Sequence, residues 1–572
     1  MNFNKLYFCE VTVLYLVIFY FLYQDKRKIF KFEETHSLMI EKTDQRQIIF
    51  SHLDGLVTAP VAYSLLKSGI LDTILSQKSI SLSALTQQYK ANEGYLNVAL
   101  RTLASQGFLD YVINNNTNEV MVSTNDKSAY AFSLFPLYED VVNVLKQTDL
   151  FTSVHIETKF LNQLGTVFNK YKNHYGITFS ENPKEKSLQE QILGHIEGYL
   201  VGPIIVSLGM TGMFHKYFME TSFSPEEFHK EPQVFKIILE FFTHLQWFTQ
   251  KNGNYQFTET GLFFAKRASA YGVTVSYLPM FKHIDDLLFG NPSLLRNVGV
   301  NDDELHVNRE MNVWGSGGAH TTYFKVIDEI IIALFNKPIQ EQPKGILDMG
   351  CGNGAFLQHI FEVIERQTLR GKLFNEYPLF LVGADYNQAA LKVTRANLIK
   401  SDIWAKVIWG DIGDPKRLAQ DLQENYNIDL KDLLNVRTFL DHNRVWEAPT
   451  TKNKNRVSTS TGAFTHRGEY IHNNEVEDNL LEHFNKWSPY VHRFGLLMIE
   501  LHTVSPQLTA ANLGKTAATA YDATHGFSDQ YIVEIDVLNK VAAEAGLLPD
   551  PQFFKKFPNT DYATVSINLL KG

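Results

Sequence analysis

The chain has 572 residues with 44% hydrophobic and 13% aromatic content, enough to bury several cores, and its length corresponds to three or four domains. Lys and Arg number 53 against 62 Asp and Glu, a formal charge of −9 with no long basic run outside residues 25–31, so a nucleic-acid groove has no electrostatic support. The only cysteines, Cys9 and Cys351, exclude a disulfide framework and any cysteine-based zinc site, and fit a reducing compartment.

Residues 1–38 differ in kind from the rest. Leu6 to Tyr23 is nearly all apolar, broken by Glu10 and followed by Asp25-Lys-Arg-Lys28 and Lys31. Eighteen residues just span a bilayer. With the positive flank on the C-terminal side, the expectation is a signal anchor that tethers a cytoplasmic protein to the inner face of the membrane. A peripheral or buried apolar tail, and an overlong gene model with its true start at Met39, are the competing readings.

Two repeats follow, at 39–150 and 151–300. Gln47-Ile-Ile-Phe-Ser-His-Leu-Asp-Gly-Leu-Val-Thr-Ala-Pro60 returns as Glu190-Gln-Ile-Leu-Gly-His-Ile-Glu-Gly-Tyr-Leu-Val-Gly-Pro203, so that His52 matches His195, Gly55 matches Gly198 and Pro60 matches Pro203 at a constant offset of 143. Each copy ends in a hairpin pattern, Asp110 to Ser123 around Asn114–Asn118 and Phe248 to Thr258 around Asn252-Gly-Asn254. Apolar helices followed by a wing-like hairpin predict two winged-helix units. Few Arg or Lys fall at groove-facing spacing, which points away from DNA. His52 and His195 sit at equivalent points of a duplicated scaffold, which points to structural roles.

The stretch His306 to Phe324 passes through Gly315, Gly317 and Gly318 into an amphipathic helix expected over Phe324 to Phe335. Such glycines let backbone approach a ligand. The segment reads as a lid with His320 and Tyr323 facing inward, or as a plain hinge. Then Gly345-Ile-Leu-Asp-Met-Gly-Cys-Gly-Asn-Gly354 forms an apolar strand that ends at Asp348 and bends through Gly350, Gly352 and Gly354. The alternating glycines permit positive φ and admit a nucleotide beside the free N–H groups of the next helix. Asp385 ends a second apolar strand and Asp411 a third. A dinucleotide fingerprint would read Gly-x-Gly-x-x-Gly with an acid about 20 residues on; here the pattern is Gly-x-Gly-x-Gly and Asp385 stands 31 residues beyond Gly354.

Ligands of an open α/β sheet bind beyond the carboxyl ends of its strands. The fourth strand, Asp432 to Leu440, delivers Asp441, His442, Asn443 and Arg444 there, and the fifth, Gly495 to Leu501, delivers His502. A third cluster has His525 and Gln530 flanking Gly526, read as a tight turn. With His442 it offers imidazole and amide groups suited to one divalent metal, while non-metal general-base histidines remain an equal reading. The polar loop Thr450 to Asn474 is expected to order on substrate or carrier binding.

The glycine turn with its acids resembles the class I S-adenosylmethionine (SAM)-dependent methyltransferases. That resemblance assigns the donor site to Asp348, Gly350, Gly352, Gly354, Asp385 and Asp411, with His320 and Tyr323 closing over it. The further motifs Asn312-Val-Trp-Gly-Ser-Gly-Gly-Ala-His320, Leu440-Asp-His-Asn-Arg444, Ser460-Thr-Gly-Ala-Phe-Thr-His-Arg-Gly-Glu-Tyr-Ile-His472, Ile499-Glu-Leu-His-Thr503 and His525-Gly-Phe-Ser-Asp-Gln530 resemble the metal-dependent C-methyltransferase regions of modular polyketide synthases, of the apratoxin type. The likeness runs from about Gln47 to the C-terminus. It implies a C-terminal doubly wound, Rossmann-like methyltransferase sheet over 301–572 behind the two helical repeats. It further implies methylation of an acyl α-carbon, one iron or manganese ion on His442, His525 and Gln530, and catalytic roles for Asp441 and His502. The acceptor would be a small molecule or an acyl group on a carrier protein, with no nucleic-acid partner, and a homodimer is expected from the helical domain. A metal-independent O-methyltransferase and a non-catalytic SAM-binding scaffold are the alternatives.

Overall fold

The computed structural model describes residues 45–147, 158–214, 222–228, 232–295 and 305–572, so the apolar segment Leu6 to Tyr23 lies outside the described residues. Two described helices, Gln45–Ser68 and Pro183–Met210, are long and apolar enough to cross a membrane, yet 78% of the apolar window in each is buried inside the protein. They are core helices, and they carry the matching His-x-x-Gly segments of the two repeats.

Both expected winged units are present. In the first, β1 (Ser79–Ser81), β2 (Asp110–Asn114) and β3 (Glu119–Ser123) form a sheet in the order β1-β3-β2 beside the helices Leu82–Tyr89 and Glu93–Ser105. In the second, β4 (Phe248–Lys251) and β5 (Asn254–Phe257) make the wing, and the bridge from Phe223 to Tyr255 stands where β1 stands in its sibling. Repeat glycines explain how these two long helices meet. A Cβ at Gly55 would lie 2.3 Å from the His195 Cα, and one at Gly198 would lie 2.4 Å from the His52 carbonyl oxygen. The two helices therefore cross backbone to backbone, each glycine beneath the other copy's histidine. His52 Nδ1 pairs with the Tyr271 hydroxyl of the second unit at 2.8 Å, and His195 Nδ1 with the Tyr138 hydroxyl of the first at 2.7 Å. The repeats pair with each other within one chain.

The helix Glu93–Ser105, which would enter a groove in a DNA-binding winged unit, is buried from Gly94 to Ser105. It packs on the helix Ala518–Phe527, where a Cβ on Gly526 would come within 2.8 Å of Val98. Gly526 thus lies inside a helix and allows a close crossing, in place of the expected tight turn. Arg101 locks the same joint by pairing with Asp522 and donating to Thr503 Oγ1 at 3.0 Å and to the Val504 carbonyl at 2.7 Å.

The glycine cluster at 315–318 is likewise helical. One helix, Arg309–Phe335, runs straight through it. Gly315 lies against Gly272 of the helix Ser269–Ser276, where an added Cβ would stand 2.6 Å from the Val273 nitrogen. Gly315 serves helix contact, whereas a Cβ on Gly317 would meet nothing within 4 Å; the segment expected to be a lid or hinge is part of a continuous helix. The far end of the helix carries Ile327, Ile330, Ile331, Leu334 and Phe335 into the core on one face of the large sheet.

That sheet has eight strands in the order β13-β15-β12-β9-β6-β7-β8, with β14 (Lys555–Phe557) paired to β15. β6 (Gly345–Met349), β7 (Phe380–Asp385), β8 (Lys406–Trp409), β9 (Leu433–Thr438) and β12 (Leu496–Leu501) are parallel; β15 (Val565–Lys571) runs antiparallel to β12 and to β13 (Leu548–Pro549). Every residue of β6 is buried, as a central parallel strand covered on both faces requires. From β6 the chain winds one way to β7 and β8 and the other way to β9 and β12, so a crevice opens where β6 and β9 diverge. The loop 450–474 is not left free. Arg456 is buried and pairs with Glu477, Asp478 and Glu544, and the loop includes the hairpin β10 (Phe464–His466) and β11 (Glu469–Ile471).

Candidate active site

At the end of β6 the three glycines take φ of 79°, 54° and 80°, values that L side chains seldom adopt. Their surroundings differ. A Cβ on Gly350 would press on Leu440 at 2.9 Å and one on Gly354 on Thr394 at 3.0 Å, but one on Gly352 would meet nothing within 4 Å. Gly350 and Gly354 are therefore small for packing, and Gly352 alone turns bare backbone toward open space. The Thr394 hydroxyl holds the Gly352 carbonyl at 2.7 Å, which makes the turn rigid.

Asp385 reaches this turn despite its sequence distance. Its Oδ2 accepts the Gly352 N–H at 3.0 Å and its Oδ1 the Asn387 N–H at 2.8 Å. The extra chain between them, including the short helix Leu369–Lys372, is spent before β7 begins and leaves the strand ends in register. Asp411, just past β8, accepts the Gly413 N–H at 2.7 Å. Asp348 is buried with Oδ2 unpartnered, and burial, followed by the negative charge of Asp385, pushes its carboxyl up to about 7. A buried acceptor without a donor is an unsatisfied group that a cationic or N–H-bearing ligand would satisfy.

Tyr323 lies in an aromatic cluster, its ring 6.0 Å from Phe439 and 5.2 Å from Phe557, and burial raises its hydroxyl well above the usual phenol range. The side chain of His320 lies outside the described residues, so its assignment to the donor site stands as an expectation.

Beyond β9 the chain makes a strained corner, with Phe439 at φ 53°. Leu440 then packs on Gly350, and His442 follows two residues later. Its Nδ1 lies 2.5 Å from Glu500 Oε1 on β12. The same carboxylate accepts the Asp441 N–H at 2.9 Å and the Leu501 N–H at 2.7 Å. The His525 ring stands 5.1 Å from that of His442 at 74°, and its Nδ1 is held by the Tyr521 carbonyl at 2.7 Å. Burial, then the neighbouring His442, pushes the His525 imidazole down to about 3, so it is neutral. With each Nδ1 engaged, neither Nε2 has a hydrogen-bond partner among the described residues. Gln530 is close by, its backbone N–H on the His525 carbonyl at 2.9 Å.

The two residues expected to be catalytic are committed elsewhere. Asp441 pairs with Arg437 and, at 2.9 Å, with His483; burial works to raise its carboxyl, but the Arg437 guanidinium and the His483 hydrogen bond hold it below the usual carboxylate range. His502 is fully buried and has Nδ1 against the Val533 carbonyl at 2.9 Å and Nε2 against Ser566 Oγ at 2.7 Å. Neither ring nitrogen is left to move a proton. Sequence reasoning passed over Glu500. The signal was available, since an acid inside Leu-Leu-Met-Ile-Glu-Leu, a strand buried throughout, costs free energy unless donors converge on it.

Among the described residues no group of three or more His, Cys, Asp or Glu is arranged to hold a metal. A set of two histidines and an amide falls outside that description. Its chemistry fits a divalent ion: each imidazole has its Nδ1 oriented by a carboxylate or carbonyl, the arrangement that presents Nε2 to a metal.

Comparison with known proteins agrees with this architecture. Residues 304–568 match the AprA MT2-like domain, 197–291 the AprA winged helix domain and 45–111 the AprA N-terminal domain. Residues 304–568 thus form a methyltransferase domain, and the fold is that of the SAM-dependent methyltransferases. The three matched segments, in chain order, are all AprA-type domains. No curated protein matches. Similar solved structures include the mitomycin 7-O-methyltransferase MmcR (9% identity, 68% of this chain and 98% of that one, TM-score 0.39). An O-methyltransferase family protein from Burkholderia thailandensis (12%, 65% and 95%, 0.35) and the CurJ carbon methyltransferase (11%, 78% and 99%, 0.31) are others. Likeness at this level says nothing about which atom is methylated.

Proposed function

We propose that the enzyme methylates the α-carbon of a polyketide-type acyl substrate, free or held as a thioester on an acyl carrier protein, with a divalent ion assisting. The observation that carries this reading is the pair His442 and His525, two rings 5.1 Å apart whose Nδ1 atoms are both fixed. His442, His525 and Gln530 would hold iron or manganese. Such an ion supplies a Lewis acid for the acceptor's carbonyl oxygens. On the donor side, Gly352 backbone, Asp385 and the unpartnered Asp348 carboxyl orient SAM, which supplies an electrophilic methyl group. The apolar side chains of Leu440, Phe439 and Tyr323 would limit water around a transfer in which charge is lost.

A second reading is favoured by the Glu500 contact. With no ion bound, His442 Nε2 is a general base: it takes the acceptor proton from carbon or from a hydroxyl, Nδ1–H stays on Glu500, and that carboxylate stabilises the imidazolium. The freed electron pair forms the bond to the methyl carbon, and the electrons of the breaking carbon–sulfur bond go to sulfur. Metal analysis of the purified protein and turnover of malonyl- and acetoacetyl-thioesters before and after chelation separate the two. One bound equivalent and activity lost on chelation support metal-assisted C-methylation; full activity after chelation, or transfer only to phenols, rejects it.

A further inference from the structure

The second winged unit reaches the candidate site through Tyr277, which directly follows the helix Ser269–Ser276 and is buried. Its hydroxyl accepts a hydrogen bond from Gln530 Nε2 at 3.0 Å. The same nitrogen donates to Ser528 Oγ, also at 3.0 Å, and the Ser528 hydroxyl spends its own proton on the Thr524 carbonyl at 2.7 Å. Ser528 can therefore only accept at that point, which requires the NH2 side of the amide, and not its oxygen, to face Ser528 and Tyr277. Both amide hydrogens are used. The carbonyl oxygen is turned the other way, and the Tyr277 ring itself stands 6.4 Å from that of His525.

Tyr277 is held in turn by the helix that carries the glycine cluster. The Asn308 N–H donates to the Ser276 carbonyl at 2.8 Å and the Asn312 amide to Ser276 Oγ at 3.0 Å, while Gly272 and Gly315 bring the two helices into backbone contact. That motif thus fixes the residue next to Tyr277.

We propose that Tyr277 is a positioning residue: by accepting an amide hydrogen it sets the flip of Gln530 so that Oε1 is presented to a divalent cation shared with His442 and His525. This rests on the metal-assisted reading. The second winged unit is by this account part of the catalytic machinery and not only a cover.

The test uses the full chain, stripped of metal and titrated with Mn(II) alone, with free Mn(II) followed by electron paramagnetic resonance. Removing an orienting partner of a metal ligand weakens metal affinity about 10- to 100-fold, and that loss is expected for Tyr277→Phe with SAM affinity unchanged. Ser528→Ala, which removes the other acceptor, should weaken Mn(II) binding in the same direction, and serves should Tyr277→Phe fold poorly. Wild-type Mn(II) affinity in Tyr277→Phe and Ser528→Ala, while Gln530→Ala and His525→Ala lose the ion, overturns the inference and leaves the site intact. Wild-type affinity in His442→Ala, His525→Ala and Gln530→Ala overturns the metal site itself, and this inference with it.

Discussion

At the scale of single residues, the site separates groups that touch the reaction from groups that hold the scaffold. Gly352 is the sharpest case. An added Cβ would strike nothing in the protein, so Gly352→Val should fold, with only the strain of a side chain at φ 54°, yet SAM affinity should fall by more than tenfold in a calorimetric titration. Undiminished affinity would mean that the donor does not lie against this backbone. Asp385→Ala should also weaken SAM binding, by about 10- to 100-fold, since it removes both the acidic group and the brace on the Gly352 N–H. Glu500→Gln leaves the donor pocket whole. Its expected signature is a fall in turnover of about 10²- to 10⁴-fold at unchanged SAM affinity, measured by single-turnover methyl transfer.

Between elements, close backbone crossings and one buried ion pair join the domains. Gly198→Val would push a side chain into the His52 backbone, and overpacking of this kind costs about 1–3 kcal/mol, which chemical denaturation can read. Arg101→Ala leaves Asp522 buried without its cation, a loss of about 3–5 kcal/mol. Burial, opposed by Arg101, already pushes Asp522 up to about 6. The Arg101→Ala loss should therefore shrink at pH 5, where the carboxyl can go neutral; an equal loss at pH 5 and pH 8 would show that the ion pair is not the cause.

For the whole molecule, buried titrating groups set a stability optimum. Burial lowers His195 and His525 to about 3 and His483 and His502 to about 4, from 6.5. These rings are neutral in the fold and protonate on unfolding, so stability is lost as pH falls below 6.5. Burial raises Asp54 to about 8 and Asp348 to about 7, from 3.8. Those carboxyls hold protons that the unfolded chain has released, so their contribution is lost as pH rises toward 8. The melting temperature of the intact protein should peak between about pH 6 and 7. A curve still climbing at pH 8.5 would contradict this, and Asp54→Asn should flatten the alkaline fall.

Local pattern alone determined much of this protein. The glycine turn and its aspartates are contiguous strand-and-turn signals, the offset of 143 exposed the duplication and the turn patterns exposed both wings, because periodicity and turn chemistry act over a few residues. The strands delivering His442 and His502 were legible for the same reason. Only the tertiary structure decided which side chains were free to act. Asp441 and His502 look catalytic in sequence, but Arg437, His483, Val533 and Ser566 occupy them; Glu500 looks like a strand acid until His442 is laid against it. The glycines at 315–318 read as a lid or hinge, whereas the segment is helical and Gly315 lies backbone to backbone against a facing helix. A side chain's role depends on which hydrogen bonds are already made, and here most of those partners come from other elements, about 30 to 60 residues along the chain.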